Sequence, residues 1–333
     1  MKWLWVTDPW ETLDHPRDTT LRLVEESLRL GHQAWWCDPS GLRHEGGRGR
    51  VYARPVRGGS PGRGPEGWEL GAAEDLALTA LDAVHYRVDP PVDRRYLEHL
   101  QLLAAGCAHG PELVNPWPAL FAMGDKLGPP SLSAALPSSL VSSAWERLAA
   151  FGRAEGRTVL KPLGGAQSRG VRLLDWTSPG GVEVARTAVL AASEGLARPV
   201  LLQRYLPAVE GGEKRLWFAD GELIAQVRKR PVEDGFLVDM DKGSPCEPCG
   251  LTPAEARLAA WVGAGLAAEG IRLAAIDVIA AQVTDWNLTS PGLLPVMEAV
   301  LERNLARPVI LTLARGAATA APAARPRPAV TSV

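Results

Sequence analysis

The chain has no run of about 18 apolar residues that could span a bilayer, and it has only four cysteines among 333 residues. The first shortage excludes a membrane-spanning helix and the second a disulfide-held scaffold. Histidine is scarce as well. All six histidines lie at or before His109, far in sequence from the single C-x-x-C at Cys246-Glu247-Pro248-Cys249. A zinc site would need a second cysteine pair or nearby histidines, so this motif reads as an ordinary loop, with a redox pair as the alternative. Neither sign of charge dominates. A formal net charge of -2 and a pI near 6.3 argue against a nucleic-acid surface and leave small charged metabolites as partners.

What is present reads as a globular protein of two or three domains. The opening Met1-Lys2-Trp3-Leu4-Trp5-Val6 is a short apolar run broken by Asp8 and Pro9, which fits a buried strand rather than a signal peptide; a cytoplasmic location is the expectation. Asp18-Thr19-Thr20 caps a predicted helix through Leu21, Val24, Leu28 and Leu30, closed by Gly31. Ala34 to Cys37 is the next strand. A loop rich in Gly, Arg and Pro is expected from Gly41 to Gly67, interrupted only by a short strand at Val51-Tyr52-Ala53. A strand at Ala83–Tyr86 runs into Arg87-Val88-Asp89-Pro90-Pro91, where the prolines stop it. Strand, helix and strand at such intervals predict an open parallel sheet.

Proline-rich breaks at 114–118 and 128–130 mark a boundary, beyond which hairpins dominate. Asp220-Gly221 is a tight-turn dipeptide between two apolar strands. Thr252-Pro253-Ala254-Glu255 is a capping box with proline at the first helical position, opening a helix that ends at Gly270. After about Ala314 the composition becomes Ala, Pro, Arg and Thr without periodicity, and a disordered tail is expected.

The chemistry-bearing residues fall in the second half. Asp277 sits in the apolar strand Ile276-Asp277-Val278-Ile279, and Asp285 and Asn287 follow two residues apart, on one face of the next strand. Three hard oxygen ligands of this kind suit Mg²⁺, which is commonly held by one or two carboxylates plus substrate phosphates; two solvated acids beside a hairpin are the alternative. Upstream, the strand Thr158-Val159-Leu160-Lys161-Pro162 leads into a loop with Gly164, Gly165 and Gly170, able to fold backbone N–H groups over a polyphosphate. No G-K-[ST] ends it, so it is not a P-loop. Val200 to Pro207 is an apolar strand breaking into a linker. Glu213 and Arg215 then share a strand face, as ribose and phosphoryl ligands or as a solvated charge cluster.

The order of these pieces resembles the ATP-grasp ligases, and over about residues 1–310 it is similar to prokaryotic glutathione synthetases. The segments that carry the likeness include Arg87-Val88-Asp89-Pro90-Pro91, Asp125-Lys126-Leu127, Leu160-Lys161-Pro162-Leu163, Gln203-Arg204-Tyr205-Leu206-Pro207, Glu213-Lys214-Arg215 and Asn287-Leu288-Thr289-Ser290-Pro291. The resemblance implies an α/β (α+β) ATP-grasp fold with an N-terminal open parallel-sheet domain over 1–122. A central subdomain with the glycine loop would span 123–200 and a metal-bearing subdomain 201–314, with 315–333 as the tail. It implies ATP and Mg²⁺, with Mn²⁺ as an alternative ion. Carried over, Lys126, Lys161, Gly165 and Gly170 meet the phosphates, Gln203, Tyr205 and Leu206 the adenine, and Glu213 the ribose. Asp277, Asp285 and Asn287 hold metal, Arg215 and Arg230 steady an acyl phosphate, and Arg87 and Asp18 face substrate. For Arg87, a structural pairing with Asp89 or Asp93 is the competing reading.

The implied reaction joins γ-glutamylcysteine to glycine in an assembly of two or four copies, with no nucleic acid or membrane as partner. A different amino-acid or peptide pair, or a nucleotide-binding scaffold without catalysis, are the alternatives. Three departures from the family pattern stand out: Asp285 where Glu is usual, a glycine loop carrying Gln167, Ser168 and Arg169, and an altered substrate loop over 231–243.

Overall fold

The computed structural model describes residues 1–165, 168–232 and 236–319. Three sheets carry the architecture. The first contains β1 (Lys2–Val6), β2 (Gln33–Cys37), β3 (Leu42–Glu45), β4 (Arg48–Gly59), β5 (Trp68–Leu70), β6 (Glu74–Ala77), β7 (Ala83–Tyr86) and β8 (Glu112–Val114). Helices α1 (Thr19–Arg29), α2 (Arg94–Cys107) and α3 (Trp117–Ala122) accompany it. Its strand order is β3-β4-β2-β1-β7-β8, with β5 and β6 both paired to β4. Strands β2, β1, β7 and β8 run parallel, as expected of near-continuous apolar runs such as Trp3–Val6.

The other half of this sheet corrects the sequence expectation. Most of the stretch read as a Gly, Arg and Pro loop from 41 to 67 is built instead from β3 and the 12-residue β4, which extends the expected 51–53 strand at both ends and pairs antiparallel with β2, β3 and β5; 60–67, with Gly41 and the Gly46-Gly47 turn, stays outside the strands. Gly49, Val51, Ala53 and Val56 point inward while most arginines between them point out. The period-2 pattern was present, but small inward residues made it faint. Gly46 and Gly47, at φ +56° and +75°, make the turn between β3 and β4.

The second sheet is antiparallel, in the order β11-β10-β12-β9: β9 (Ser139–Ser142), β10 (Arg157–Pro162), β11 (Arg172–Asp175) and β12 (Val200–Arg204). Helices α4 (Trp145–Glu155) and α5 (Gly181–Ala192) cover one face through Leu148, Ala185 and Val189. The third sheet, also antiparallel, runs β15-β14-β13-β16-β17. Its strands are β13 (Glu213–Ala219), β14 (Glu222–Lys229), β15 (Cys246–Pro248), β16 (Leu273–Ile279) and β17 (Gln282–Asn287), followed or flanked by α6 (Pro253–Ala268), α7 (Leu294–Leu301) and α8 (Ala306–Thr319). Both reciprocal bonds of the Thr252/Glu255 capping box form, and Asp18 caps α1 by accepting from the Leu21 N–H at 2.8 Å.

Alternation along β13 assigns its residues to different tasks. Leu216 and Phe218 join the core under α6, with Leu258, Val262 and Leu266. Trp217 and Ala219, on the opposite face, pack in the core shared with Trp3, Trp5 and the α7–α8 residues Met297, Val309 and Ile310. Glu213 and Arg215 continue that second face to the end of the strand where the core stops. Asn115 bolts the N-terminal and third sheets together. Its amide donates to the carbonyls of Leu273 and Leu288, each at 2.7 Å, and its oxygen accepts from the Arg272 and Leu273 N–H groups at 2.9 Å.

Helix α8 runs to Thr319, past the point where the sequence suggested a tail. The alanines after 314 are strong helix formers, and the lack of apolar periodicity did not prevent a helix. Residues 320–333 of the expected tail, together with Gln167, Glu233, Asp234 and Gly235 of the two loops, lie outside the described residues. Cys246 opens the edge strand β15, so the C-x-x-C is extended, not a thioredoxin-like helix start. Among the described residues no helix is long and apolar enough to cross a membrane.

Candidate active site

The second and third sheets face each other across a cleft of about 310 Å³. Lys126, Lys161, Gly165, Gln203, Tyr205, Leu206, Glu213, Arg215, Asp277, Asp285 and Asn287 all line it, which brings together eleven of the residues singled out from the sequence.

Register explains the convergence. Arg215 on β13 lies directly across from Asp277 on β16, and Asp277 lies across from Asp285 on β17. Residues opposite each other in an antiparallel pair share a face. The Arg215 guanidinium donates to both Asp277 oxygens, at 3.0 and 2.6 Å. Lys229, opposite Glu213 on β14, reaches Glu213 Oε1 at 2.7 Å and Asp277 Oδ1 at 2.9 Å. The result is a buried chain, Glu213–Lys229–Asp277–Arg215. Burial would raise the Asp277 carboxyl, but the Arg215 and Lys229 charges outweigh it and hold the group well below the usual carboxylate range. At Glu213 burial wins over Lys229, and the neighbouring Asp277 charge adds to it, so this carboxyl is raised.

Two further lysines enter from outside the third sheet. Asp125 accepts from the Leu288 N–H and the Thr289 hydroxyl at 2.9 and 3.0 Å, while its carbonyl accepts from the Trp286 N–H at 2.9 Å. These bonds fix the chain so that Lys126 Nζ donates to both Asp285 oxygens at 2.8 Å. Burial opposes the Lys126 charge, but Asp285 more than compensates and its pKa is raised. Lys161, at the end of β10, donates to the Thr284 carbonyl at 2.6 Å. Burial pulls its pKa down, and the Lys126 charge pulls in the same direction.

At the other end the cleft is apolar. Tyr205, Val209 and Ile279 cluster with Val159, Leu173, Leu206 and Phe236, and the Arg157 guanidinium lies over the Tyr205 ring, 4.3 Å from its centroid. Ser168 of the glycine loop donates to the Val238 carbonyl at 3.2 Å, tying that loop to the 236–241 segment, which also lines the cleft. Gly170 does not line the cleft. It turns the loop at φ +73°, where a Cβ would also meet Pro162 Cγ at 2.9 Å.

Arg230 is placed differently from the sequence expectation. Its guanidinium pairs with Glu247 at 2.7 Å on the surface and does not line the cleft. The physical reason is alternation: Ala225, Val227 and Lys229 point inward along β14, so Arg228 and Arg230 point out. Lys229 was the residue that sequence reasoning missed, and the same period-2 pattern contained the signal. Lys214, beside the two cleft residues, faces α6 and pairs with Glu255 at 2.6 Å. Arg87 and Asp18 lie in a neighbouring cavity of about 370 Å³. Arg87 does not bond Asp89 or Asp93. It donates instead to the Thr20 hydroxyl at 3.1 Å and the Pro291 carbonyl at 2.8 Å.

The donor set fits a hard divalent ion. Asp277, Asp285 and Asn287 offer only oxygen among hard ligand types, and among the described residues no group of three or more His, Cys, Asp and Glu forms a complete cage. Mg²⁺ bound through one or two carboxylates and substrate oxygens matches that partial set, and Asp285 is a competent ligand in place of Glu.

Two antiparallel sheets closing on lysines, an arginine and acidic strand ends define the ATP-grasp class of ligases, which use ATP and a divalent metal. A family model described as prokaryotic glutathione synthetase, N-terminal domain, matches residues 1–120, and one described as prokaryotic glutathione synthetase, ATP-grasp domain, matches residues 125–301. The glutathione synthetase of Parasynechococcus marenigrum (strain WH8102) is 33% identical over 307 residues, 92% of this chain and 96% of that protein. That of Xanthomonas campestris pv. campestris is 30% identical over 303 residues, covering 90% and 94%. The chain belongs to the prokaryotic glutathione synthetase family and is an ATP-dependent, ADP-forming ligase. Among solved structures, D-cycloserine synthetase DcsG superposes with a TM-score of 0.67 at 19% identity, covering 95% of this chain and 99% of that one. The ATP-grasp ligase PsnB, complexed with minimal precursor, Mg and ADP, gives 0.60 at 17% identity, covering 95% and 97%. At these identities the likeness is one of fold.

Proposed function

We propose that this chain is a glutathione synthetase, joining the carboxylate of γ-glutamylcysteine to the amine of glycine with ATP and Mg²⁺. The observation that carries the reading is the convergence of Lys126, Lys161, Arg215 and Lys229 with Asp277, Asp285 and Asn287 in one cleft, within a chain of this family. The same convergence disfavours a scaffold without catalysis, because a non-catalytic binder has no need of so many buried charges.

In the proposed reaction a donor carboxylate oxygen attacks the γ-phosphorus and ADP leaves. The glycine nitrogen then attacks the acyl carbon, phosphate leaves, and a proton passes from nitrogen to solvent. No enzyme nucleophile is required, so the chain's part is positioning and electrostatics. The apolar slot around Tyr205, Leu206 and Ile279, with Gln203 at its edge, takes the adenine, and Glu213 the ribose. Lys126 and Lys161 hold the phosphates. Arg215, kept rigid by its two bonds to Asp277, steadies charge on the transferring phosphoryl group and the acyl phosphate, and Lys229 rather than Arg230 stands beside it. Asp277, Asp285 and Asn287 would hold Mg²⁺, which neutralises phosphate charge when bound. The 236–241 segment lines the same cleft and would choose the acceptor.

The test is incubation of the purified chain with ATP, Mg²⁺, γ-glutamylcysteine and glycine, reading ADP and product mass together. Equal amounts of ADP and glutathione are expected. ATP binding without turnover would point to another substrate pair, as the altered 231–243 segment allows, and no ATP binding would sink the ligase reading.

A further inference from the structure

The C-x-x-C at 246–249 takes no part in the proposed reaction. Cys246 and Cys249 are both free thiols, both half-buried, and they flank the edge strand β15. Among the described residues no group of three or more His, Cys, Asp and Glu gathers around them, which leaves metal binding without a ligand set. Strand β15 is three residues long and, among the described residues, is held in its sheet by β14 alone: Cys246 lies opposite Lys229, Glu247 opposite Arg228 and Pro248 opposite Val227. These pairings anchor the far end of the segment that follows β14. The Arg230 N–H donates to the Pro245 carbonyl at 2.9 Å, and Glu247 pairs with Arg230 at 2.7 Å and with Arg228 at 3.4 Å. The 236–241 stretch that lines the cleft is tied to this anchor in turn. The Asp239 N–H donates to the Ser244 hydroxyl at 2.8 Å, and its carbonyl accepts from the Ser244 N–H at 3.1 Å.

The two thiols lie on opposite faces of the sheet. Cys246 shares the cleft face with Lys229 and Arg215, whereas Cys249 stands near Lys214, Arg228 and Glu255 on the α6 side. A disulfide needs its two Cα atoms within about 7 Å and its Cβ vectors converging. A Cys246–Cys249 bridge and the paired form of β15 therefore exclude each other. We propose that Cys246 and Cys249 form a redox switch: a low-molecular-weight disulfide oxidises them to an internal bridge that lifts β15 from β14 and releases the cleft-lining 236–241 stretch. The Cys246 thiolate attacks one sulfur of glutathione disulfide, and glutathione leaves as its thiolate. The Cys249 thiolate then attacks the Cys246 sulfur and displaces the second glutathione. Two protein thiols are oxidised, one disulfide is reduced to two thiols, and the two protons given up pass to the departing thiolates. Burial raises both thiols, and at Cys246 the Lys229 and Arg215 charges offset only part of it, so the exchange speeds up as pH rises. The inference rests on the ligase reading for its effect on turnover and not for formation of the bridge.

The test equilibrates the full chain with glutathione disulfide at mildly alkaline pH, alkylates the remaining thiols and maps the peptides by mass. A Cys246–Cys249 bridge is expected, with Cys37 and Cys107 recovered as alkylated thiols. Hydrogen exchange of the backbone amides in β14 and β15 should be faster in the bridged chain than in the reduced one. Turnover is read as ADP release with ATP, Mg²⁺, glycine and γ-glutamyl-2-aminobutyrate, a donor without a thiol that would reduce the bridge. In the bridged chain kcat/KM for glycine should fall roughly 10- to 100-fold, the scale of a misplaced positioning element, and a dithiol reductant should restore it. Cys249→Ser should stop at a mixed disulfide with one glutathione on Cys246. Cys246→Ser should form no bridge and keep its turnover in the oxidant. Absence of the bridge, a bridge with unchanged exchange in β14 and β15, or an equal loss of turnover in Cys246→Ser overturns the proposal. If the bridge forms and exchange rises but even the reduced chain yields no peptide product, the switch stands and the glutathione reading falls.

Discussion

The cleft between the second and third sheets and the adjoining cavity of Arg87 and Asp18 are both lined with charge, yet they handle it differently. In the cleft each main charge has a protein partner: Asp277 is shared between Arg215 and Lys229, Lys229 also serves Glu213, and Lys126 holds Asp285. In the cavity of Arg87 and Asp18, Arg87 keeps an Nη1 with no hydrogen bond among the described residues, and Asp89, bonded to Ser290, has the Asp8 and Asp18 carboxylates nearby as well as Arg87. With the ATP and Mg²⁺ proposed for it, the cleft needs its groups ionised and in place through the reaction; cross-pairing achieves both. Pre-pairing favours rigidity and charge.

Breaking the cleft's chain should have the largest effect. Lys229→Met leaves Glu213 and Asp277 buried without that cation, and removal of one partner from a buried pair costs about 3–5 kcal/mol. Denaturant unfolding should register that loss, and ADP release should vanish. Arg215→Lys keeps the charge but loses the fork that bonds both Asp277 oxygens. The expected fall in kcat is roughly 10²- to 10³-fold, with near-normal stability, measured by steady-state ADP release.

Neutralising Asp89 in the second cavity should act in the reverse direction on stability. A carboxyl raised to about 6 favours its protonated form in the folded chain. Its stabilising contribution is therefore complete below the unfolded value near 4 and is lost as pH rises through 6. Asp89→Asn should raise Tm at pH 7 relative to the unmodified chain and leave it nearly unchanged at pH 3.5. Thermal unfolding at the two pH values checks the sign, and a lower Tm at pH 7 would count against it. The smallest effect belongs to Arg230→Ala, which removes only an exposed pair with Glu247. A kcat change of about twofold or less is expected. A loss as large as that of Arg215→Lys would restore Arg230 to the catalytic set.

Residues whose placement follows from local pattern were legible in the sequence. Asp285 and Asn287 at i and i+2, Glu213 and Arg215 likewise, and Lys161 before a glycine loop all reach the cleft, because strand alternation and glycine punctuation are short-range properties. The choice between Lys229 and Arg230 turned on one residue of register at the end of β14, where three cations in a row hide the inward one. Strand β4 was obscured by its Gly and Arg content, although Val51, Ala53 and Val56 mark its inner face. The four bonds of Asn115 join segments more than 150 residues apart and depend on the assembled sheets, so no local pattern announces them. The unbonded Nη1 of Arg87 is likewise a property of the finished fold.

The contrast between the two cavities can be measured directly by ¹³C NMR of the chain carrying carboxyl-labelled aspartate, titrated from pH 8 down to the onset of acid unfolding. The account predicts that the Asp89 resonance, assigned by its loss in Asp89→Asn, moves with a midpoint about 6. The Asp277 resonance should stay in its ionised position throughout, held there by Arg215 and Lys229. An Asp89 midpoint near the ordinary value of about 4, or an Asp277 that protonates before Asp89, would contradict it.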